Sequence, residues 1–502
     1  MLPRRSGSRG RQPLEFRAVS APIPQPVSMA QVQAAVHATL DELAPVLEPL
    51  GERFVAAGES LHLVGGPVRD AMLGRPVVDL DLTTSARPDR IEQILAGWAD
   101  AVWDIGRAFG TIGCRKGDWT LEITTYRSEV YDASSRKPEV DFGDSLAGDL
   151  GRRDFTVNAM AVSLPDRTFE DPFGGLVDLA HQELRTPGRP EDSFGDDPLR
   201  MMRAARFAAQ LGFTVVPEVV EAMRSMASRI EIVSAERVRD ELVKLVLAPW
   251  PRRGLTLLVE TGLAQLVLPE LPALSLERDE HHRHKDVYEH TLTVLEQSID
   301  LERSRGHDPD FVGRFAALMH DIGKPRTRRF QDGGQVTFHH HDVVGAKLTR
   351  KRMKQLRFST EQIEAVSTLV ELHLRFHGYG DGEWTDSAVR RYVRDAGDQL
   401  ERLHILTRAD CTTRNQRKAD RLRRSYDDLE GRIARLAEQE EMASMRPDLD
   451  GNQIMEILGI GPGRDVGAAY NFLLELRLDE GPQAPDVAKA ALLEWWASRS
   501  SG

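Results

Sequence analysis

The sequence predicts an α+β protein, with a small mixed-sheet head followed by a long all-helical body. Three observations carry that reading. Between residues 61 and 164, short apolar runs of strand length alternate with helical stretches and glycine-containing turns. After Arg189 long helical periodicity takes over, interrupted by short Gly- and Pro-containing breaks. The length, 502 residues, is itself a prior for two to four domains.

The elements follow in order. Residues 1–28 are rich in Arg, Ser and Pro and read as a disordered tail. Arg4, Arg5, Arg9 and Arg11 are followed by no apolar stretch, which argues against a secretory signal. A helical pattern at 31–50 opens a head that spans 29–189. Its strands are expected at 61–64, 78–83, 110–115, 119–125 and 159–164. Helices at 199–211 and 235–247 belong to a neck, 190–275. Helix then dominates to the end, in two further parts at 276–430 and 431–502.

Composition narrows the function classes. Hydrophobic residues make up 41%, enough for real cores, but no window approaches a membrane-spanning apolar run. Cys114 and Cys411 are the only cysteines, so neither a disulfide framework nor a Cys-based zinc site is expected. A reducing, cytoplasmic setting fits. The net charge of −12 argues against non-specific binding of polyanions. RNA contact would have to come from local patches such as Lys347, Arg350, Lys351, Arg352, Lys354 and Arg357. Oligomeric state is not legible.

Residues 63–70, Leu-Val-Gly-Gly-Pro-Val-Arg-Asp, place Gly65 and Gly66 between a strand and a helix. Glycines there let a backbone approach a phosphate, and a helix start presents free N–H groups. Asp79 and Asp81 lie two apart in the next strand, so both carboxylates face one side. Such a pair suits Mg²⁺, which binds a few carboxylates together with phosphate oxygens.

These residues resemble the first motif of polymerase-β-like nucleotidyltransferases, in the branch of bacterial CCA-adding tRNA nucleotidyltransferases and poly(A) polymerases. Arg152-Arg153-Asp154-Phe155-Thr156-Val157-Asn158-Ala159 resembles that branch's second motif and Asp171-Pro172-Phe173-Gly174-Gly175 its third. Asp196-Asp197-Pro198-Leu199-Arg200 resembles the fourth, with Asp196 where Glu is commoner, and Glu236-Arg237 the fifth. The resemblance implies Mg²⁺ on Asp79 and Asp81, with Glu122 as a third carboxylate. It implies triphosphate and sugar on Gly65, Gly66, Arg69, Arg153, Asp154 and Asn158. Asp197 and Arg200, three residues apart, are expected to share a helix face and read the base by its hydrogen-bonding edge, with Asp197 as an N-cap ahead of Pro198 the plainer alternative. Arg203 and Arg206 are expected to reach the triphosphate. The polar stretch between Tyr126 and Asp149 matches the flexible loop that permits adenosine addition in this branch.

In the body, His320-Asp321 closes an apolar helical run, with His290 upstream and Asp410 downstream. That order resembles the HD phosphohydrolase family, so 276–430 is expected to be an HD domain. Imidazole with carboxylate suits Mn²⁺, Ni²⁺, Fe²⁺ or Zn²⁺. His341 and His373 are further candidate ligands, whereas His281, His282 and His284 read as surface. Residues 449–463 resemble an RNA-facing C-terminal segment, and a helix-joining turn is the plainer alternative.

The resemblance therefore implies template-independent addition of CCA to the tRNA 3′ end from CTP and ATP. Two alternatives stand beside it. One is a poly(A) polymerase or a CC- or A-adding enzyme. The other is an HD phosphohydrolase whose head only binds RNA.

Overall fold

The computed structural model describes residues 29–130, 139–143, 145–275, 286–330, 336–379, 384–413, 415–440 and 446–499. The expected tail at 1–28 lies outside these residues, as do His281, His282 and His284. The chain forms two units, Met1–Pro272 and Ala273–Gly502.

The first unit begins with the helix Met29–Ala56. Its strands are β1 (Leu61–Val64), β2 (Asp79–Thr84), β3 (Ala101–Gly106), β4 (Thr111–Lys116), β5 (Trp119–Thr125), β6 (Arg127–Val130), β7 (Glu139–Phe142), β8 (Ala161–Leu164) and β9 (Phe169–Glu170). Seven form one mixed sheet in the order β3-β4-β5-β2-β1-β8-β9, and β6 with β7 make a separate hairpin. The two strands that carry the acidic residues, β2 and β5, are parallel; their neighbours are antiparallel.

Alternation explains how β2 presents its acids. Leu80 and Leu82 are fully buried while Asp79 and Asp81 face outward from the same strand. Leu121 and Ile123 on β5 complete that apolar layer. Burying each such side chain contributes roughly 1.5–3 kcal/mol, enough to hold the register and so the direction of the carboxylates. The expected strands all form, with ends shifted by one or two residues. The edge strand β3 and the β6–β7 arms were not expected; residues 131–138 between those arms lie outside the described set.

The helix Leu199–Leu211 packs on Ala235–Val246 and Pro251–Glu260. Its Met201, Met202, Ala204, Ala205, Ala208 and Ala209 are buried.

In the second unit, Val287–Ser304, Phe311–Met319, Thr360–Leu372 and Leu400–Ala409 form a helical core, with His341–Gln355 packed on Thr360–Leu372. Phe311 stacks on Phe315 and Phe358 at 5.1 and 5.2 Å between ring centroids. The expected boundary at 430/431 falls inside the continuous helix Gln416–Glu440. A small core of Leu449, Ile454, Leu473 and Leu492 gathers the last helices. There Asp450 forms a capping box with Gln453, and Gly459 closes the same helix in the left-handed region. That segment is thus built as a helix-joining turn. Among the described residues, no helix is long and apolar enough to cross a membrane.

Candidate active site and metal centre

A cleft of about 550 Å³ opens in the first unit. It is lined by Gly65, Gly66, Arg69, Asp81, Glu122, Arg153, Asp154, Asn158, Asp197, Arg200, Arg203 and Arg206, so twelve of the thirteen head and neck residues singled out from sequence meet here. Asp79 is outside the lining but shares the exposed face of β2 with Asp81.

Asp81 lies directly opposite Glu122 in the β2–β5 register. Burial pushes the Asp81 carboxyl up to about 6; Glu122 and Asp79 add to the rise, while Arg153 and Arg69 oppose it. The three carboxylates therefore sense one another. They do not gather three ligand atoms within 4.8 Å, a spacing reached among the described residues only in the second unit. A site of this kind suits Mg²⁺ that takes its remaining ligands from phosphate and water.

Gly65 sets the turn after β1 with φ 73° and ψ −130°, a conformation strained for any residue with a side chain. A Cβ there would stand 2.9 Å from Nη1 of Arg153, so its absence lets that guanidinium approach the turn. Arg153 also donates to buried Asp149 at 3.2 Å. Arg69 donates Nη1 to Oδ1 of Asn158 at 2.6 Å, and Asn158 donates to Asp154 at 2.9 Å. Arg203 donates Nε to the other oxygen of Asp154 at 2.7 Å. Burial works against an ionised Asp154, but Arg203 and Asn158 outweigh it and hold the carboxyl down at about 2.

One expectation needs correcting. Asp197 does not share a helix face with Arg200, because it precedes the helix with φ −139° and ψ 103°. Pro198 forces the residue before it out of the helical region. Asp197 instead accepts the Leu199 amide at 3.1 Å and Arg237 at 2.7 Å, and Arg200 donates to Ser193 and to the Arg152 carbonyl. Both still line the cleft. Arg206, expected at the triphosphate, donates to the buried Glu241 at 2.5 Å and to Gln210 at 2.6 Å.

Sequence reading missed three supports. Phe207 carries the guanidinium groups of Arg206, Arg69 and Arg203 at 3.8, 5.3 and 5.5 Å from its ring centre. Asp149 pairs with Arg152 and Arg153 at the i,i+3 and i,i+4 spacings that would have signalled it. Glu241 neutralises Arg206 from the neighbouring helix, which no local spacing reveals.

In the second unit all six expected ligands converge. His290 Nε2 lies 3.0 Å from Asp410 and 3.6 Å from Oδ2 of Asp321; His320 Nε2 lies 3.2 Å from that same oxygen. His341 Nε2 lies 3.3 Å from the other oxygen, Oδ1. The rings of His320 and His341 each stand 5.3 Å from that of His373. His320, His341 and His373 donate Nδ1 to the carbonyls of Ala317, Phe338 and Val370. Those bonds turn each Nε2 inward, buried and without a hydrogen-bond partner among the described residues; burial disfavours a charged His320, but Asp321 and Asp410 outweigh it and push its imidazole up to about 8. Buried and facing His320 and His341, His373 is pushed down to about 3 and stays neutral. Two ligand groups result, His290-His320-Asp321 and Asp321-His341-His373, sharing one aspartate. Lys324, unpredicted, contacts Asp321 at 2.8 Å from one helical turn on.

Residues 61–185 match the poly A polymerase head domain, 212–274 a probable RNA and SrmB-binding site of polymerase A, and 287–415 the HD domain. Fold and site thus define a polymerase-A-type head joined to an HD body. An A-adding tRNA nucleotidyltransferase from Deinococcus radiodurans is 34% identical over 88% of this chain and 96% of its own. A CCA-adding enzyme from Levilactobacillus brevis is 43% identical over 45% of this chain and 56% of its own, so that match spans about half of the relative. The fold is shared with the Bacillus stearothermophilus CCA-adding enzyme in complex with CTP, at TM-score 0.67 and 24% identity over 92% of this chain and 99% of that one. This chain belongs to the tRNA nucleotidyltransferase family.

Proposed function

We propose that this protein adds CCA to the tRNA 3′ end from CTP and ATP, without a nucleic-acid template, releasing pyrophosphate in the cytoplasm. The observation that carries the reading is Asp81 facing Glu122 across β2 and β5, in a cleft that eight arginines also line. Asp79 and Asp81 hold Mg²⁺, which when bound neutralises phosphate charge and favours ionisation of the attacking hydroxyl. Arg69 and Arg153, fixed by Asn158 and Asp149, orient the triphosphate. Arg203, Asp154 and Asn158 set the sugar end of the nucleotide, and Asp197 and Arg200 present an acceptor and a donor to the base. Glu122, opposite Asp81, would be the third carboxylate on the acidic side of the site. Catalysis rests on positioning and charge neutralisation.

In the body, His290, His320, Asp321 and Asp410, extended by His341 and His373, would hold a divalent transition metal for phosphoester hydrolysis; the buried Nε2 atoms without hydrogen-bond partners support this. A second reading, addition of A alone, has one specific support: the relative aligned over nearly the whole chain is A-adding. A tRNA lacking CCA, offered CTP alone, ATP alone or both, separates the two. Extension by two nucleotides with CTP and by three with both supports CCA addition. Extension with ATP only, on tRNA already ending in CC, supports the alternative.

A further inference from the structure

The face of the sheet that carries Asp81 continues past Glu122 to a small apolar platform. Registers run Asp81 to Glu122, Glu122 to Gly113 and Gly113 to Trp103, so these four positions share one face across β2, β5, β4 and β3. Gly113 leaves a hollow there that Trp103 and Ile105 fill; a Cβ on Gly113 would stand 2.5 Å from the indole Nε1 and 2.6 Å from Ile105 Cδ1. The indole therefore lies over Gly113, one strand spacing, about 5 Å, beyond Glu122. Yet Trp103, Ile105 and the adjoining Phe109 remain 38%, 45% and 51% exposed, on the edge strand of the sheet. Arg115 is exposed on the same face of β4, and Arg127 reaches the Thr111 hydroxyl at 2.9 Å.

We infer that Trp103 stacks the unpaired 3′-terminal base of the RNA that accepts the nucleotide. This rests on the proposed transfer reaction, and direction argues for it. The residues that hold the triphosphate follow β1 or precede β8, on one side of the carboxylates. In-line displacement brings the attacking hydroxyl from the side opposite the leaving pyrophosphate. That side is β5, β4 and β3. An indole face suits any base, and neighbouring arginines suit its phosphates, as in other sites for unpaired strands. Position beside the reaction centre distinguishes this strip from scattered surface apolar residues, which need no occupant.

Steady-state kinetics with tRNA lacking CCA tests it, varying tRNA at saturating nucleotide and then the reverse. Trp103→Ala is expected to raise KM for tRNA by about 5- to 100-fold while KM for CTP stays within about two-fold. Trp103→Phe should restore most of the affinity. Gly113→Ala, which pushes the indole aside, should shift KM for tRNA in the same direction as Trp103→Ala. If Trp103→Ala fails to fold, as judged by far-ultraviolet circular dichroism, the Phe and Gly113→Ala pair decides. An unchanged KM for tRNA would overturn the inference and leave the strip to a protein partner. A parallel rise in KM for CTP would also overturn it. Wild-type protein that extends no tRNA would instead sink the transfer reading itself.

Discussion

Arg203 on the neck helix donates to Asp154 at 2.7 Å, and Asp154 through Asn158 steadies Arg69 beside the glycine turn. One buried carboxylate thus joins the sheet to the helix and fixes two cations that face the same cleft. Asp154→Asn removes that charge. It should raise KM for CTP and ATP alike by at least about ten-fold while leaving KM for tRNA near its wild-type value. Initial-rate kinetics with each substrate varied in turn checks this; a selective effect on one nucleotide would contradict it.

The same residue gives a stability signature. Its folded-state carboxyl is held at about 2, below an ordinary value near 4. The stability it contributes is complete above pH 4 and is lost as pH falls toward 2. Thermal unfolding of Asp154→Asn should therefore fall less steeply than wild type across that window. Parallel curves would refute the assignment.

Asp81 has the opposite shift, a carboxyl raised to about 6. Proton and Mg²⁺ then compete for it. At limiting Mg²⁺ incorporation should fall as pH drops through about 6, and added Mg²⁺ should move the midpoint lower. A midpoint indifferent to Mg²⁺ concentration would contradict metal binding at this residue.

Asp197 is held by Arg237 at 2.7 Å beside the cleft. Asp197→Ala should lower the preference for CTP over UTP, read as the ratio of kcat/KM values, by about ten-fold. Arg237→Ala should do so less severely, since it removes the brace and leaves the acceptor. Unaltered selectivity in both would place base choice elsewhere.

The two sites should also separate. His320→Ala or Asp321→Ala should abolish binding of Mn²⁺ or Ni²⁺ measured by calorimetry while tRNA extension continues. Loss of both properties in one variant would contradict independent sites.

Much of this was legible because local rules carried it. Asp79 and Asp81 face one way because a strand alternates, and buried Leu80 and Leu82 enforce that direction. The helix Leu199–Leu211 formed with the expected bounds. What stayed hidden depended on tertiary neighbours. Strand β3 reads poorly because an edge strand with Val102, Trp103 and Ile105 exposed shows no in–out alternation. Glu241 reaches Arg206 from a different helix, 35 residues away. The shared helix face of Asp197 and Arg200 failed for a local reason, since Pro198 disfavours a helical residue before it, whereas Asp197 does cap the Leu199 amide.

Transfer of radiolabelled CMP to tRNA lacking CCA, by Asp81→Asn beside wild type, bears on the central claim most directly. The carboxylate pair facing the arginine-walled cleft predicts a loss of about 1,000-fold or more, with CTP binding and melting temperature near wild type. Incorporation within about ten-fold of wild type would mean that Asp81 does not hold the metal on which the transfer depends.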